Sequence, residues 1–209
     1  MVVYLRVVKI YLMKYLLFIA TCMLPWCANA RVSVAPAVGP AWSTLNKQLP
    51  NGSAGVSTWR AGVRFEKRFT PNIYLQGAAF YTRYGYSTLN SGVTVDYFTR
   101  SVDFPIMLMY KTGKACQPRF VFGGGLLLVQ QLGSFAKTEG KPPVDVFSPS
   151  RSGMGRGYAL TAGFELPAGF TINTSYHTTR LGYIMAPGVY NYRQISITLG
   201  YILNKVSRK

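Results

Sequence analysis

Bulky apolar and small polar residues alternate along much of the chain. Residues 157–166 show this pattern clearly, and it resumes over residues 170–177 after the turn Pro167-Ala168-Gly169. Strict period-2 alternation is typical of a β-strand whose two faces meet different environments. The stretch therefore predicts a β-hairpin with one bulky face and one small polar face. The bulky face carries Tyr158, Leu160, Ala162, Phe164 and Leu166 before the turn, and Phe170, Ile172, Thr174 and Tyr176 after it.

The same alternation, with clusters of Gly, Pro, Asn and Asp marking the turns, predicts eight strands and no helix. Several of these segments exceed the about 5–6 residues usual in soluble sheets, and they reach the about 9–11 residues that a tilted membrane strand needs. The predicted strands are residues 32–43, 55–69, 73–86, 93–111, 119–132, 154–166, 170–182 and 190–203.

The predicted connections alternate in length. Short turns at one end and long loops at the other are typical of bacterial outer-membrane barrels. The longest connection, residues 133–153, is polar and contains prolines, so we predict a loop there and consider it the best candidate binding element. The pattern predicts an all-β fold, an eight-stranded antiparallel up-and-down transmembrane β-barrel. The short turns are residues 70–72, 112–118 and 167–169, and the longer loops are residues 44–54, 87–92, 133–153 and 183–189.

The composition of the two strand faces indicates which face meets lipid. Only 14% of the residues are charged, below the quarter or so usual in soluble domains. The polar rows hold mainly Thr, Ser, Asn, Gly and Gln, which suit the crowded interior of an eight-stranded barrel. Trp, Tyr and Phe near strand ends are expected of aromatic girdles at membrane interfaces. We therefore predict that the apolar rows face lipid; the alternative is a soluble lipocalin-like ligand binder with those rows turned inward.

The N-terminus has the pattern of a secretory signal peptide. Arg6, Lys9 and Lys14 precede the apolar run of residues 15–24, and a small-x-small site follows at residues 28–30. The apolar run is shorter than the ~20 residues of a membrane-spanning helix. This pattern predicts export, with the cell outer membrane as the destination of the barrel.

The predicted domain boundaries follow from that cleavage site. Residues 1–30 are the signal peptide, and residues 31–209 are the outer-membrane β-barrel domain. The segment from Met13 onward is a compact signal peptide by itself, so we hypothesise that translation starts at Met13. A retained anchor or a lipid attached to Cys22 is the alternative to simple cleavage. Once the signal is removed Cys116 is the remaining cysteine, so no intramolecular disulfide is predicted.

Charged side chains on the predicted interior faces form the first candidate site. A buried arginine needs a carboxylate partner to offset the loss of hydration. We therefore predict a network of ion pairs and hydrogen bonds that plugs the lumen; the alternative is a charged pore, which would make the protein a small passive channel. The candidate residues are Arg60, Arg64, Glu66, Arg68, Asp103, Glu165 and His177.

Basic residues in and near the predicted outer loops form the second candidate site. The formal net charge is +17, but the basic residues are scattered, with no basic helix or stacking platform, so nucleic acid is not a predicted partner. Outer-membrane lipid and lipopolysaccharide phosphates are the predicted partners. Envelope proteins are possible further partners of a barrel that we expect to be a monomer. The candidate contacts are Lys47, Arg83, Lys137, Lys141 and Arg151.

Sequence signatures of catalysis or cofactor binding are missing. His177 is the only histidine, which excludes a metal site built on two histidines. The Gly-rich run at residues 122–128 lacks the Lys-Ser/Thr of a phosphate loop, and there is no G-x-S-x-G nucleophile elbow. We therefore predict no cofactor and no enzymatic activity. The predicted role is structural, in envelope assembly or secretion as an accessory, or in surface interaction.

Several stretches resemble one family of barrel proteins. They include "VGPAWSTL", "AGVRFEKRFTPNIYLQGAAFYTRYGYS", "SVDFPIMLMYKTG", "PRFVFGGGLLLV" and "YRQISITLGYIL", and the Asp-Phe-Pro-Ile step at residues 103–106 is the most characteristic. On these stretches the chain resembles the outer-membrane β-barrel domain family common in Bacteroidetes-type Gram-negative bacteria, the PorT-like or "porin family" group. The resemblance implies location and architecture rather than chemistry. The chain departs from the pattern after Tyr201, where a basic tail follows the last aromatic residue.

Overall fold

A computed structural model describes residues 32–45, 53–90, 92–114, 117–147, 154–183 and 188–203 of the 209-residue chain. The predicted signal peptide with Met13, and the residues Lys47, Cys116 and Arg151, lie outside these ranges. No helix in the described part of the chain is long and apolar enough to cross a membrane. Its strands are β1 (Val32–Leu45), β2 (Ala54–Arg68), β3 (Ile73–Asn90), β4 (Val93–Lys111), β5 (Arg119–Thr138), β6 (Val144–Phe147), β7 (Met154–Glu165), β8 (Phe170–Tyr183) and β9 (Gly188–Tyr201).

Eight of these strands close into a ring. The strand order is β4-β3-β2-β1-β9-β8-β7-β5-β6, and an additional pairing of β4 with β5 joins the two sides. Sequential neighbours such as β3–β4 and β8–β9 pair antiparallel, and so do the closing pairs β4–β5 and β1–β9. The short strand β6 pairs with β5 outside the ring. The predicted eight-stranded antiparallel up-and-down barrel is confirmed, and ring closure satisfies the backbone groups that an open sheet leaves at its edges.

The bulky apolar rows face outward around this ring. On β7, the Leu160 side chain is 58% exposed while its neighbour Thr161 is buried; on β9, Leu199 is 59% exposed while Thr198 is buried. This arrangement is that of a transmembrane barrel, whose outward face meets hydrocarbon and whose interior holds small and polar side chains. The lipocalin-like alternative required the opposite orientation and does not fit.

Aromatic side chains surround the turn end of the barrel, where a membrane protein meets the interface between hydrocarbon and water. Rings on neighbouring strands contact one another, so the aromatic side chains form a girdle around part of the barrel wall. The paired ring centroids are Tyr110–Phe122 at 5.3 Å, Phe120–Phe164 at 5.4 Å and Phe170–Tyr201 at 5.0 Å.

The turn between β7 and β8 lies where the sequence predicts it. The Gly169 backbone N–H donates to the Leu166 carbonyl at 2.9 Å, and Gly169 has a φ of 94°. This left-handed conformation favours glycine because a Cβ atom is strained there. Both predicted short connections that are fully described, residues 70–72 and 167–169, are tight turns.

Two predicted loops are wrong in part. β3 continues to Asn90 and meets β4 at Val93 through Gly92, which has a φ of 79°, so residues 87–90 are strand. The predicted loop 133–153 contains the end of β5 and all of β6. The reason is ladder pairing: the end of β5 pairs with β4 on one side and with β6 on the other, which outweighs its Gly and Lys content. Residues 148–153 of that loop lie outside the described part of the chain.

Candidate functional site in the barrel lumen

Charged and polar side chains fill much of the lumen. Alternation along each strand turns every second residue inward, so residues 60, 64 and 66 of β2 share the interior face. Six of the seven interior residues that the sequence predicts are buried, and Lys111 and Arg119 join them. In the described part of the chain the buried acidic and basic residues are Arg60, Arg64, Glu66, Asp103, Lys111, Arg119, Glu165 and His177.

An ion-pair network crosses the lumen near its turn end. Glu165 on β7 accepts from Lys111 Nζ at 2.9 Å and from Arg119 Nη2 at 2.5 Å. Lys111 also pairs with Glu66 on β2. The Arg119 guanidinium further donates to the Tyr74 hydroxyl at 3.2 Å. Because its members come from β2, β3, β4, β5 and β7, this turn-end network ties opposite walls together and occupies the space between them.

Lys111 and Arg119 are members of the lumen network that sequence reasoning misses, because they lie next to the turn of residues 112–118. The signal that could have found them is strand parity. Lys111 continues the inward row of Met107 and Met109, and Arg119 shares its row with Val121. Their carboxylate partners depend on ring closure, which sequence spacing does not show.

A second cluster lies in the middle of the lumen around Arg60. Its Nη1 donates to the ring of His177 at 3.2 Å and to the Ser196 hydroxyl at 3.1 Å, and its guanidinium stacks 4.1 Å from the centre of the Phe80 ring. His177 Nδ1 lies 3.8 Å from Asp103 Oδ2. The structure therefore brings Arg60 next to His177, 117 positions away in sequence, and His177 next to Asp103, 74 positions away. Arg60 faces both the histidine and the serine.

The space left between these side chains is small. A cavity of about 10 Å3 lies between β2 and β8 and is lined by Arg60, Arg64, Asn173 and His177 among others. A volume of that size holds about one water molecule. Arg64 closes it toward the turn end, where its Nη2 donates to the Thr171 hydroxyl.

Tyrosine side chains close the loop end of the lumen. Tyr86 stacks on Tyr97 with ring centroids 5.1 Å apart, and Tyr192 on β9 contacts Tyr84 at 5.8 Å and Tyr86 at 6.3 Å. Tyr84 and Tyr192 are fully buried. The Tyr84 hydroxyl donates to Asp103 Oδ2 at 2.6 Å, which joins this tyrosine layer to the middle cluster.

We expect the substitution Tyr84→Phe to lower the free energy of unfolding by about 1–3 kcal/mol, because it leaves a buried carboxylate oxygen without its donor. The midpoint of thermal conversion from the fast- to the slow-migrating form on a gel measures the effect. Tyr158→Phe is the matched control, since Tyr158 is exposed on the outward face. Equal midpoints for the two variants would show that the Tyr84–Asp103 bond contributes nothing.

The remaining predicted residues stand apart from the lumen. Arg68 is only half-buried, and its Nε donates to the Thr70 carbonyl at 2.9 Å in the turn after β2. Arg83 is half-buried on the outward row of β3, with its guanidinium 5.9 Å from the centre of the Trp59 ring. Lys137 and Lys141 are exposed at the loop end of β5 and in the turn that follows.

No protein-family model matches the sequence, and no curated protein matches it. Among solved structures, Neisserial surface protein A is 13% identical, with 82% of this chain and 97% of that chain covered and a TM-score of 0.47. Ail of Yersinia pestis, solved with the heparin analogue sucrose octasulfate, is 13% identical over 82% and 99% of the two chains, with a TM-score of 0.46. The outer membrane enzyme PagL is 12% identical over 81% and 98%, with a TM-score of 0.43. Membership of the PorT-like group stays a prediction.

Proposed function

We propose that this chain is an integral outer-membrane β-barrel with a sealed lumen, which acts through its surface rather than by transport. The signal-peptide pattern of residues 1–30 supports export. The outward apolar rows and the closed ring support insertion into a bilayer, because every strand then keeps its backbone groups paired. A barrel exported across the inner membrane has the outer membrane as its destination.

The observation that carries this proposal is the filled interior. The turn-end network, the middle cluster around Arg60 and the tyrosine layer follow one another along the barrel axis. An eight-stranded barrel has an interior only wide enough for side chains. A hydrated ion would have to displace buried ion pairs that hold opposite walls together, so we favour the plugged barrel over the small passive channel.

The same interior supports a non-enzymatic role. His177 is the only histidine of the chain, and it is buried in the lumen with Arg60 Nη1 3.2 Å from its ring. Arg60 also holds Ser196, so a cation rather than a nucleophilic hydroxyl faces the imidazole. A general base must reach the proton that it removes from a substrate, and the His177 side chain is only 2% exposed.

The loop end of the barrel is the proposed interaction element. β3, β4 and β5 extend beyond the ring of outward apolar residues and, with β6, form a sheet outside the lumen. Leu89, Val93 and Val144 are exposed there, near the exposed Lys137 and Lys141. Apolar and basic side chains together suit an anionic amphipathic partner such as lipopolysaccharide or an envelope protein. We therefore propose a structural, assembly-accessory or surface-interaction role.

Planar-bilayer recording tests the sealed lumen. We expect the folded protein to insert and to show no regular single-channel steps. A variant with Glu66, Lys111, Arg119 and Glu165 all replaced by serine is the control, since it removes the turn-end network and so widens one end of the lumen. Heat-modifiable gel migration confirms that each preparation is folded. Regular steps from the unmodified barrel would favour the passive channel, and recovery of the protein in the periplasmic fraction would contradict the membrane location.

A further inference from the structure

Five arginines stand on the outward rows of five strands, beyond the apolar residues on the loop side of the barrel. Four of them are exposed and Arg83 is half-buried. Sequence reasoning singles out Arg83 alone, since the others are isolated along the chain. We call this set the arginine belt: Arg83 on β3, Arg100 on β4, Arg156 on β7, Arg180 on β8 and Arg193 on β9.

The belt lies at one height on the barrel wall. Each arginine is eight or ten residues from the outward residue at the turn end of its own strand. With a rise of about 3.3 Å per residue and a tilt of about 40°, this separation corresponds to about 20–25 Å along the barrel axis. That distance matches the about 25 Å apolar band of an outer-membrane barrel. The pairs are Ile73 with Arg83, Tyr110 with Arg100, Phe164 with Arg156, Phe170 with Arg180, and Tyr201 with Arg193.

Register brings the arginines into two groups of like charge. Arg83 is directly opposite Arg100 on the neighbouring strand, and Arg156 is directly opposite Arg180. Arg193 pairs with Thr178, two residues from Arg180 on the same face. Like charges directly opposite one another destabilise a sheet. None of the carboxylates in the described ranges forms an ion pair with any of the five, so this arrangement calls for an external anion.

Aromatic rings hold part of the belt in place. The Arg100 guanidinium lies 4.7 Å from the centre of the Phe135 ring, and Arg83 lies 5.9 Å from both the Phe135 and the Trp59 rings. The Arg83 Nε is buried and has no hydrogen-bond partner in the described protein. A guanidinium fixed on an aromatic face still presents its planar fork, which matches two oxygens of a phosphate.

The residues below the belt indicate what carries the anion. Tyr158, Tyr176 and Ile195 follow the group of Arg156, Arg180 and Arg193 toward the turn end, and their side chains are exposed on the same outward rows. A ligand that satisfies both layers has a phosphorylated head at the height of the arginines and acyl chains along the apolar wall. Free phosphate would satisfy only the upper layer.

We propose that the arginine belt is a binding site for the phosphate groups of a phosphorylated lipid in the outer leaflet, with one subsite at Arg83 and Arg100 and a second at Arg156, Arg180 and Arg193. This inference rests on the proposed membrane location and deepens it, because it assigns the lipid contact to the barrel wall. Lys137 and Lys141, which lie above the belt, are not part of the site.

Lipid titration of the purified, folded barrel in detergent tests the proposal. The probes are bis-phosphorylated lipid A, lipid A stripped of phosphate with the same acyl chains, and inorganic phosphate; bound lipid is counted by native mass spectrometry. We expect the unmodified barrel to bind the bis-phosphorylated lipid at least tenfold more tightly than the stripped one. The triple variant Arg156→Gln, Arg180→Gln, Arg193→Gln should lose most of this preference, whereas Lys114→Gln, which changes an exposed lysine at the opposite, turn end of the barrel, should keep it.

Three other outcomes would contradict the proposal that the arginine belt binds a phosphorylated lipid. Equal binding of the two lipids, or an unchanged preference in the triple variant, would overturn it. Full competition by inorganic phosphate at equimolar concentration would point to a free-anion site and would also overturn the lipid assignment. Insertion into vesicles is measured separately. An unmodified barrel that inserts but binds the two lipids equally would contradict this inference alone. An unmodified barrel that fails to insert would contradict the proposed function.

Discussion

The substitution Glu165→Ala is expected to lower the free energy of unfolding of the barrel by about 3–5 kcal/mol, the range for removing one partner of a buried ion pair. Glu165 is 2% exposed and accepts from both Lys111 and Arg119. Lys111 would keep Glu66, and Arg119 would keep the Tyr74 hydroxyl. A buried guanidinium would therefore lose its carboxylate, and the cost of its lost hydration would no longer be offset.

Urea unfolding of the barrel in phospholipid vesicles measures this effect, with the folded fraction read from gel migration of unboiled samples. Glu139→Ala is the matched control, because Glu139 is exposed in the turn after β5. We expect the unfolding midpoint of that control to stay unchanged. Glu66→Ala should have a smaller effect than Glu165→Ala, since among the described residues Glu66 forms one ion pair, with Lys111, whereas Glu165 forms two. If Glu165→Ala and Glu139→Ala unfold at the same urea concentration, the turn-end network does not stabilise the barrel.

The substitution Leu160→Arg is expected to cost about 2–4 kcal/mol, the range for an arginine at the bilayer midplane on the lipid face of a barrel. Leu160 lies on the outward row of β7, midway between Phe164 at the turn end and Arg156 in the arginine belt. It is 58% exposed. On a soluble surface such a change would be nearly neutral, so a large cost identifies hydrocarbon as the medium around this row.

A second leucine of similar exposure provides the comparison for Leu160→Arg. Leu89 is 53% exposed and lies on β3 six residues beyond Arg83, on the loop side of the belt. Leu89→Arg should lower the free energy of unfolding by only about 0–1 kcal/mol, because the cost of a charged side chain on the lipid face decreases from the bilayer midplane toward the interface. Both variants are compared by urea unfolding in the same vesicles. Equal costs at the two positions would contradict the placement of the apolar band.

The alternation of side chains was sufficient to predict the strands and their orientation. Leu160 and Thr161 are adjacent in sequence, and one faces out while the other is buried. This prediction succeeds because a thin wall with lipid on one side and a packed interior on the other imposes a different requirement on every second residue. All eight predicted strands occur, with ends that differ by at most four residues except at β5, which continues six residues beyond its predicted end.

The sheet beyond the membrane was not predictable in the same way. The end of β5 and β6 lie in a segment predicted to be a loop. Outside the bilayer both faces of a strand can meet water, so the alternation that identifies a strand is lost. Here the backbone pairing of β5 with β4 and β6, rather than the side-chain pattern, determines the structure.

Strand parity along the chain was enough to assign one face of each strand to the lumen and the other to the outside, although Lys111, Arg119 and Arg68 at the strand ends were not placed correctly. The contacts between lumen residues depend on the closed ring: Glu165 reaches Lys111 and Arg119 because β7 and β4 both pair with β5. The same closure places five arginines, scattered over more than a hundred residues of chain, at one height on the wall. The physical reason is that strand register and ring closure bring residues that are far apart in sequence close together in space. No local pattern along the chain indicates which residues will meet in this way.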